Sequence, residues 1–329
     1  MTSLLRSLLR IAAATIIGLI VITSVAALLI RQPTATGLSY DAAIHADARR
    51  LERDVAYLTA DVSPRNAAHP ENLDRAADWI GASFKASGAT VEQQRFTARG
   101  RQWRNVIAHF GPAQSTAIPV VVGAHYDAFG ETGAWPGADD NASGTAGLLE
   151  LAVMLGRLPP SSPVVLVAFT NEEPPFFGSE QMGSAVHAES LAIRDHRRGR
   201  MICLEMIGYF APQQAMPSPL LGLLYPPHGD FVAVAGGWSD VGLTRLVKRA
   251  MAGSGDLPVV SFTGPHEMSG ASDQRNYWSR GWEAVMVTDT AFLRNPNYHT
   301  ARDTAGTLDY AKMAGVVDGV LNAMRWAAR

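Results

Sequence analysis

The chain has 329 residues, of which 47% are hydrophobic and 18% are charged, so it can bury a substantial core and is neither disordered nor fibrous. Its formal net charge of -2, without a long run of like charges, argues against nucleic acid as a partner. One large domain is the simplest division of a chain of this length.

The chain begins with a long apolar segment. Ile11 to Ile30 carry no charged side chain, and Arg6 and Arg10 precede them. The run matches the roughly 20 residues that a helix needs to cross a bilayer, and the arginines favour a cytoplasmic N-terminus. We therefore expect residues 1–31 to form a cytoplasmic tail and a single-pass transmembrane anchor, with the rest on the extracytoplasmic side. The alternative is a cleaved signal peptide, whose apolar core is usually shorter, roughly 7 to 15 residues.

The remainder predicts alternating helices and strands. Residues 32–40 are polar or small and predict a linker, which leaves residues 41–329 as the folded domain. Helical spacing of apolar residues predicts helices at 41–60, 72–87, 143–158, 239–252, 273–279 and from 308 to the C-terminus. Apolar, β-branched runs predict strands at 91–96, 105–110, 118–122, 163–169, 201–206, 231–235, 259–262 and 284–287. This alternation predicts an α/β fold, with a mostly parallel central sheet sandwiched by helices after the N-terminal transmembrane helix.

Polar side chains collect in or just after the predicted strands. The residues concerned are His125, Asp127, Asp140, Glu172, Glu173, Glu205 and His299. In open α/β sheets ligands bind beyond the carboxyl ends of strands, so these side chains can converge. Nitrogen and oxygen ligands without cysteine suit zinc. The single cysteine, Cys203, lies in an apolar run and is interpreted as a buried core residue.

Five segments carry a resemblance to a known family. They are GAHYD at Gly123 to Asp127, GADDNASG at Gly137 to Gly144, NEE at Asn171 to Glu173, LEMIG at Leu204 to Gly208 and NYHT at Asn297 to Thr300. In this order they resemble the co-catalytic di-zinc aminopeptidases, whose relatives include glutaminyl cyclases, over roughly Asn105 to Asp309. The resemblance implies a zinc-dependent exopeptidase, of the aminopeptidase type, that hydrolyses peptide bonds with a metal-activated water.

The resemblance also implies a ligand set for two zinc ions per chain. His125 and Glu205 would bind one zinc, Glu173 and His299 would bind the other, and Asp140 would bridge both. The family usually has aspartate where Glu205 stands, so occupancy of the first site is the less secure expectation.

Two further carboxylates have implied roles. Glu172 would be the general base, and Asp127 would orient the ligand histidine. Asp139 is the nearest rival of Asp140, and only the motif separates the two. The family often has histidine after the Ser-Asp pair, whereas this chain has Gln274. Asp273 and Asp289 are expected in supporting roles only.

Several alternatives stay open. A glutaminyl cyclase with a single zinc would share the same motifs, and a catalytically silent binding domain would share the fold. The segment from Pro174 to Phe177 predicts either the lining of a specificity pocket or rigid packing. The expected partners are a peptide substrate and, through the N-terminal helix, a membrane. The sequence predicts neither the oligomeric state nor the side-chain preference.

Overall fold

Eight strands form one sheet in the computed structural model, which describes residues 3–32, 36–39, 44–112, 115–130, 133, 135–194 and 198–328. The strands are β1 Thr90–Ala98, β2 Arg101–Phe110, β3 Val120–His125, β4 Val164–Phe169, β5 Arg200–Leu204, β6 Val232–Gly237, β7 Val259–Gly264 and β8 Glu283–Thr288. Their order is β1-β2-β4-β3-β5-β8-β6-β7. The eight predicted strands are confirmed, with ends shifted by a few residues.

The central strands β4, β3, β5 and β8 are parallel neighbours. β6 and β7 are parallel to each other, whereas β1 and β2 pair with their neighbours antiparallel, as β6 does with β8. All residues of β3 and β4 are buried, because helices cover both faces of the sheet. The predicted α/β class with a mostly parallel sheet is therefore confirmed.

Helices pack on both faces of this sheet. After the N-terminal helix α1 Ser3–Arg31, they are α2 Ala48–Ala56, α3 Pro70–Ala86, α4 Gly144–Arg157, α5 Gly183–Arg194, α6 Pro219–Gly222, α7 Val241–Ala252, α8 His266–Ser269, α9 Gln274–Trp278 and α10 Tyr310–Ala327. Helices α2, α3, α4, α7 and α10 build the larger apolar core with one sheet face. Helices α5 and α9 cover the other face, where Cys203 is buried as expected.

One predicted helix begins later in the structure, and three observed helices, α5, α6 and α8, are unpredicted. The helix expected at 41–60 starts at Ala48, because the Asp47 side chain accepts a hydrogen bond from the Arg49 N–H and caps it. Residues 41–43 of that prediction lie outside the described residues. Helix α5 has no counterpart among the predicted elements; its sequence shows no strong amphipathic pattern.

The N-terminal helix stands apart from the sheet. Its stretch from Arg6 to Arg31 has 26 residues, and the most apolar part of that stretch is not buried, so the helix is long and apolar enough to span a bilayer. The chain meets the domain directly after it, where the Gln32 side chain donates a 2.7 Å hydrogen bond to Thr263 Oγ1 on β7. Residues 33–35 and 40 of the predicted linker lie outside the described residues.

Candidate metal centre

The first group of possible metal ligands lies at the carboxyl ends of β3 and β5. His125 is the last residue of β3, and Glu205 directly follows β5. His125 Nε2 lies 3.2 Å from Glu205 Oε2 and 3.4 Å from Asp140 Oδ1. Since one ligand atom from each of the three residues lies within 4.8 Å of the others, the group could hold a metal ion.

A second group shares Asp140 with the first. His299 Nε2 lies 3.0 Å from Asp140 Oδ2 and 3.5 Å from Glu173 Oε1, so these three residues are also close enough together to hold an ion. Asp140 thus offers one carboxylate oxygen to each group. The structure brings all five residues of the expected ligand set together, in the two sets that the resemblance implies.

Sheet topology explains this convergence. Glu172 and Glu173 follow β4, and the loop that carries His299 follows β8, so the polar residues come from the ends of four neighbouring parallel strands. The backbone at Asn171, Met206 and His299 has φ values of 61°, 50° and 53°, in the left-handed region. Such conformations are costly for non-glycine residues and cluster at functional sites.

The donor set fits a divalent cation. His125 Nε2 and Glu173 Oε1 are buried and have no hydrogen-bond partner among the described residues. Buried polar atoms are costly when unpaired, and a cation between the two groups would satisfy both. Imidazole and carboxylate ligands without cysteine are typical of zinc sites with open coordination positions.

The pKa values of the site residues also indicate that the site favours a positive charge. Burial raises the pKa of Glu172 well above its ordinary value and that of Glu173 to about 8. Burial would also raise the pKa of Asp140, but the neighbouring imidazoles of His125 and His299 lower it overall. Burial alone would lower the pKa of His299, yet its contacts with Asp140 and Glu173 raise it to about 9.

Asp127 connects the histidine of the first group to the β4 loop. Its carboxylate accepts hydrogen bonds from the backbone N–H groups of Glu172 and Glu173, at 3.2 and 3.0 Å. The same carboxylate lies 3.5 Å from His125 Nδ1. One side chain therefore fixes the position of a candidate ligand relative to the two glutamates.

The structure separates Asp139 from Asp140. The Asp139 carboxylate accepts hydrogen bonds from Gly208 N at 3.1 Å and Asn295 Nδ2 at 2.8 Å, away from both ligand groups. Asp303, a residue that sequence reasoning missed, accepts the backbone N–H bonds of Asp139 and Asp140 at 2.9 and 3.1 Å. An acidic side chain four residues after His299 was the only sequence signal for it.

Arg65 is a second residue that sequence reasoning missed. Its side chain is fully buried and donates hydrogen bonds of 2.9 Å to the carbonyls of Tyr126, Pro136 and Gly137. These bonds hold both ends of the loop that carries Asp140. Burial lowers the pKa of Arg65 to about 10. Because its partners are backbone carbonyls, no side-chain motif marks it.

A cavity of about 260 Å³ adjoins both groups. Pro174 and Phe177 line it, whereas Phe176 is buried and packs edge-on against Trp103, with ring centroids 5.4 Å apart. The two open interpretations of this segment thus apply to different residues, since Phe177 faces the cavity and Phe176 packs in the core. Tyr298 also lines the cavity.

Relatives share most of the chain. Residues 105–324 match the model of peptidase family M28. An uncharacterized protein of Escherichia coli K12, YfbL, is 47% identical over 287 residues, which cover 84% of this chain and 87% of that protein. The probable lipoprotein aminopeptidase LpqL of Mycobacterium tuberculosis H37Rv is 32% identical over 247 residues, covering 68% of this chain but only 45% of LpqL.

Solved structures share the fold. The zinc aminopeptidase BSAP of Bacillus subtilis superimposes with a TM-score of 0.64 at 16% identity, covering 84% of this chain and 94% of BSAP. A glutaminyl cyclase of Bacteroides thetaiotaomicron superimposes with a TM-score of 0.63 at 17% identity, covering 86% of this chain and 98% of the cyclase. The matches to the family model and to YfbL, together with this fold, show that the chain belongs to peptidase family M28.

Proposed function

We propose that this protein is a two-zinc exopeptidase of the aminopeptidase type. One observation carries the proposal: two ligand groups share Asp140, and the carboxylate of Glu172 lies beside them without belonging to either. Glu172 Oε2 is 3.8 Å from His125 Nε2, and its side chain lines the adjoining cavity. A free carboxylate next to two metal sites is what hydrolysis by an activated water requires.

The residues of this chain divide the work of such a reaction. Bound zinc would lower the pKa of a water molecule and polarise the scissile carbonyl. Glu172 accepts the proton of the attacking water and returns it to the leaving amine, a role that its position beside His125 and in the cavity allows. Asp127 contacts both His125 and the backbone of Glu172 and so fixes their relative positions.

The shape and charge of the cavity support an amino-terminal substrate. A volume of about 260 Å³ is at the small end for ligand pockets, which favours one terminal residue over an internal stretch of chain. Acidic side chains line it, namely Asp140, Glu172, Glu173 and Glu205. The two zinc ions would offset the charge of Asp140, Glu173 and Glu205, which leaves Glu172 as the carboxylate able to attract the positively charged α-amino group of a peptide. The aminopeptidase LpqL among the relatives agrees with this proposal.

A peptide digest of the full-length, zinc-loaded protein in detergent tests the activity. We expect release of the first residue from peptides with a free N-terminus and no release from the same peptides after N-acetylation. Equal cleavage of both forms would overturn the exopeptidase assignment. The absence of cleavage with two zinc ions bound would overturn the whole proposal.

Glutaminyl cyclization is the second candidate, because a cyclase shares the fold. A peptide with N-terminal glutamine discriminates the two reactions. An aminopeptidase releases free glutamine, whereas a cyclase releases ammonia and leaves the peptide length unchanged. Zinc stoichiometry is the independent measurement, since the cyclase alternative predicts one ion per chain.

We also propose that residues 1–31 form a cytoplasmic tail and an uncleaved membrane anchor, followed by a linker at 32–40 and a peptidase domain at 41–329. The length and apolar surface of α1 support the anchor, and the arginines before it support an extracytoplasmic domain. Intact mass of the membrane-extracted protein tests it. Loss of the first residues, up to the small side chains near Ala27, would favour a cleaved signal peptide.

A further inference from the structure

A leucine-rich surface segment lies outside the candidate metal centre. Residues 211–227 contain no charged side chain and include the short helix α6. Leu220 and Leu223 in this segment are 70% and 81% exposed. Leu221 and Tyr225 instead face inward and line an apolar cavity of about 130 Å³. The segment is therefore held to the domain on one side and presents two leucines on the other.

Hydrogen bonds connect this segment to the end of α1. The Tyr225 hydroxyl donates to the Ser261 carbonyl on β7 at 2.7 Å, and Ser261 Oγ donates to the Arg31 carbonyl at 2.7 Å. Arg31 is the last residue of α1. Two consecutive bonds through one β7 residue thus place the exposed leucines close to the end of the N-terminal helix.

Hydrogen bonds fix the junction between α1 and the domain. Lys248 Nζ donates to the carbonyls of Arg31 and Gln32, at 3.1 and 2.8 Å, and the Gln32 side chain is bonded to Thr263. Gln32 is only 7% exposed. The uncharged run of α1 ends at Ile30, so the bilayer surface would lie at the level of Arg31, beside β7.

We propose that the α6 segment is a lipid-contacting surface, in which Leu220 and Leu223 enter the bilayer interface next to α1. The inference rests on the proposed membrane anchor. The proposal is based on the position of the segment along the membrane normal, because the hydrogen bonds through Ser261 hold it at the level where the uncharged part of α1 ends. Exposed apolar side chains without accompanying charge match the boundary of the acyl region, where an interfacial segment buries its apolar side.

Site-specific fluorescence in lipid nanodiscs tests the contact on the full-length protein. An environment-sensitive dye is attached to Leu223→Cys, while the buried native Cys203, with burial raising the pKa of its thiol, serves as the unlabelled background. Ile17→Cys in α1 reports the anchor itself. Leu158→Cys is the matched control, because Leu158 is an exposed leucine that precedes β4, five strands from β7.

The three labels give distinguishable outcomes. We expect the dye at position 223 to be blue-shifted and quenched by nitroxides on the lipids, as at position 17, while the dye at 158 is quenched by aqueous iodide. Iodide quenching at 223 equal to that at 158, with 17 protected, would overturn the lipid contact and leave the anchor standing. Protection at 223 without lipid quenching would assign the surface to a protein partner and also overturn it. Iodide quenching at position 17 would overturn the membrane anchor. Peptide hydrolysis is assayed separately, so that the lipid contact and the enzymatic activity are tested independently.

Discussion

Glu205 stands where the resembled family usually has aspartate, and its surroundings accommodate the longer side chain. The Ser272 hydroxyl donates a 2.6 Å hydrogen bond to Glu205 Oε2, and the same oxygen lies 3.2 Å from His125 Nε2. The extra methylene therefore does not carry the carboxylate out of the first ligand group. Ser272 belongs to the Ser-Asp pair noted in the sequence, so this pair contacts a candidate ligand even though Gln274 replaces the usual histidine.

The first prediction concerns the proposed general base. Glu172→Gln keeps the size of the side chain and removes its ability to accept a proton, so turnover should fall about 100- to 10,000-fold. Zinc content should stay unchanged, because Glu172 belongs to neither ligand group. Metal analysis and kcat on the same sample check both parts. Glu267→Gln, at an exposed glutamate, is the control, and normal turnover of zinc-loaded Glu172→Gln would contradict the assignment.

A second prediction concerns His299, whose ring stacks between Phe129 and Tyr298 with centroid distances of 3.7 Å to each. The stacking fixes the imidazole next to Asp140 and Glu173. His299→Ala removes one nitrogen ligand from the second group. At a free zinc concentration just sufficient to fill both sites of the unchanged protein, bound zinc per chain should therefore fall by about one ion. His228→Ala changes an exposed histidine and should leave the metal content intact. An unchanged stoichiometry in His299→Ala would exclude the ligand role.

Residues of the site were predictable to different degrees. The five ligand candidates and Glu172 were named through the resemblance, because each lies in one of the short motifs that the chain shares with the resembled family. Asp139 and Asp140 are adjacent carboxylates, and no local property distinguishes them; only the fold shows that Asp139 faces Gly208 and Asn295. Asp303 escaped prediction because it acts on the backbone of a loop far from it in sequence.

Elements of the sheet were more predictable than the connections between them. Buried strands such as β3 and β4 are continuous apolar runs, which is why the sequence predicts them. The loop between β3 and α4 has no such pattern, and its shape depends on the buried Arg65, whose hydrogen bonds to Tyr126, Pro136 and Gly137 no periodicity could indicate. A helix start such as that of α2 depends on a single capping side chain, Asp47.

A third prediction tests this loop. Arg65→Met preserves an apolar stem but leaves buried carbonyls unpaired, which should lower the free energy of unfolding by about 3 kcal/mol. Zinc affinity should fall too, because the loop carries Asp140. Chemical denaturation and a competitive zinc titration measure the two effects. Arg157→Met, at the exposed end of α4, is the control. A stable Arg65→Met protein with normal zinc affinity would show that other contacts hold the loop.

The whole molecule gathers charge at one edge of its sheet. Four parallel strands bring two histidines and several carboxylates together at their carboxyl ends, and helices on both faces exclude water from the strands beneath. Without an ion these carboxylates repel one another and are poorly solvated, so the metal-free fold bears a cost that bound zinc would remove. Stability, protonation and metal binding are therefore coupled across the domain.

The last prediction follows from this coupling: zinc should raise the melting temperature more at about pH 8.5 than at about pH 6. In the metal-free protein the pKa values are about 8 for Glu173 and about 9 for His299, both above the ordinary values for these groups. A raised folded-state pKa stabilises the fold at low pH, and that stabilisation is lost as the pH rises through it. The metal-free protein therefore loses these two contributions over this range.

The apparent zinc affinity, in contrast, increases as the pH rises from about 6 to about 8.5. Zinc ligands must be deprotonated, so each proton displaced from Glu173 or His299 weakens apparent zinc affinity about tenfold for every pH unit below its pKa. Calorimetric titration in two buffers with different ionisation enthalpies should therefore show proton release at about pH 7. His299→Ala should narrow the pH dependence of the zinc-induced shift, and His228→Ala should not. A shift that is equal at both pH values, without proton release, would contradict binding at these residues, because a ligand that displaces no proton has no reason to stabilise the domain differently as the pH changes.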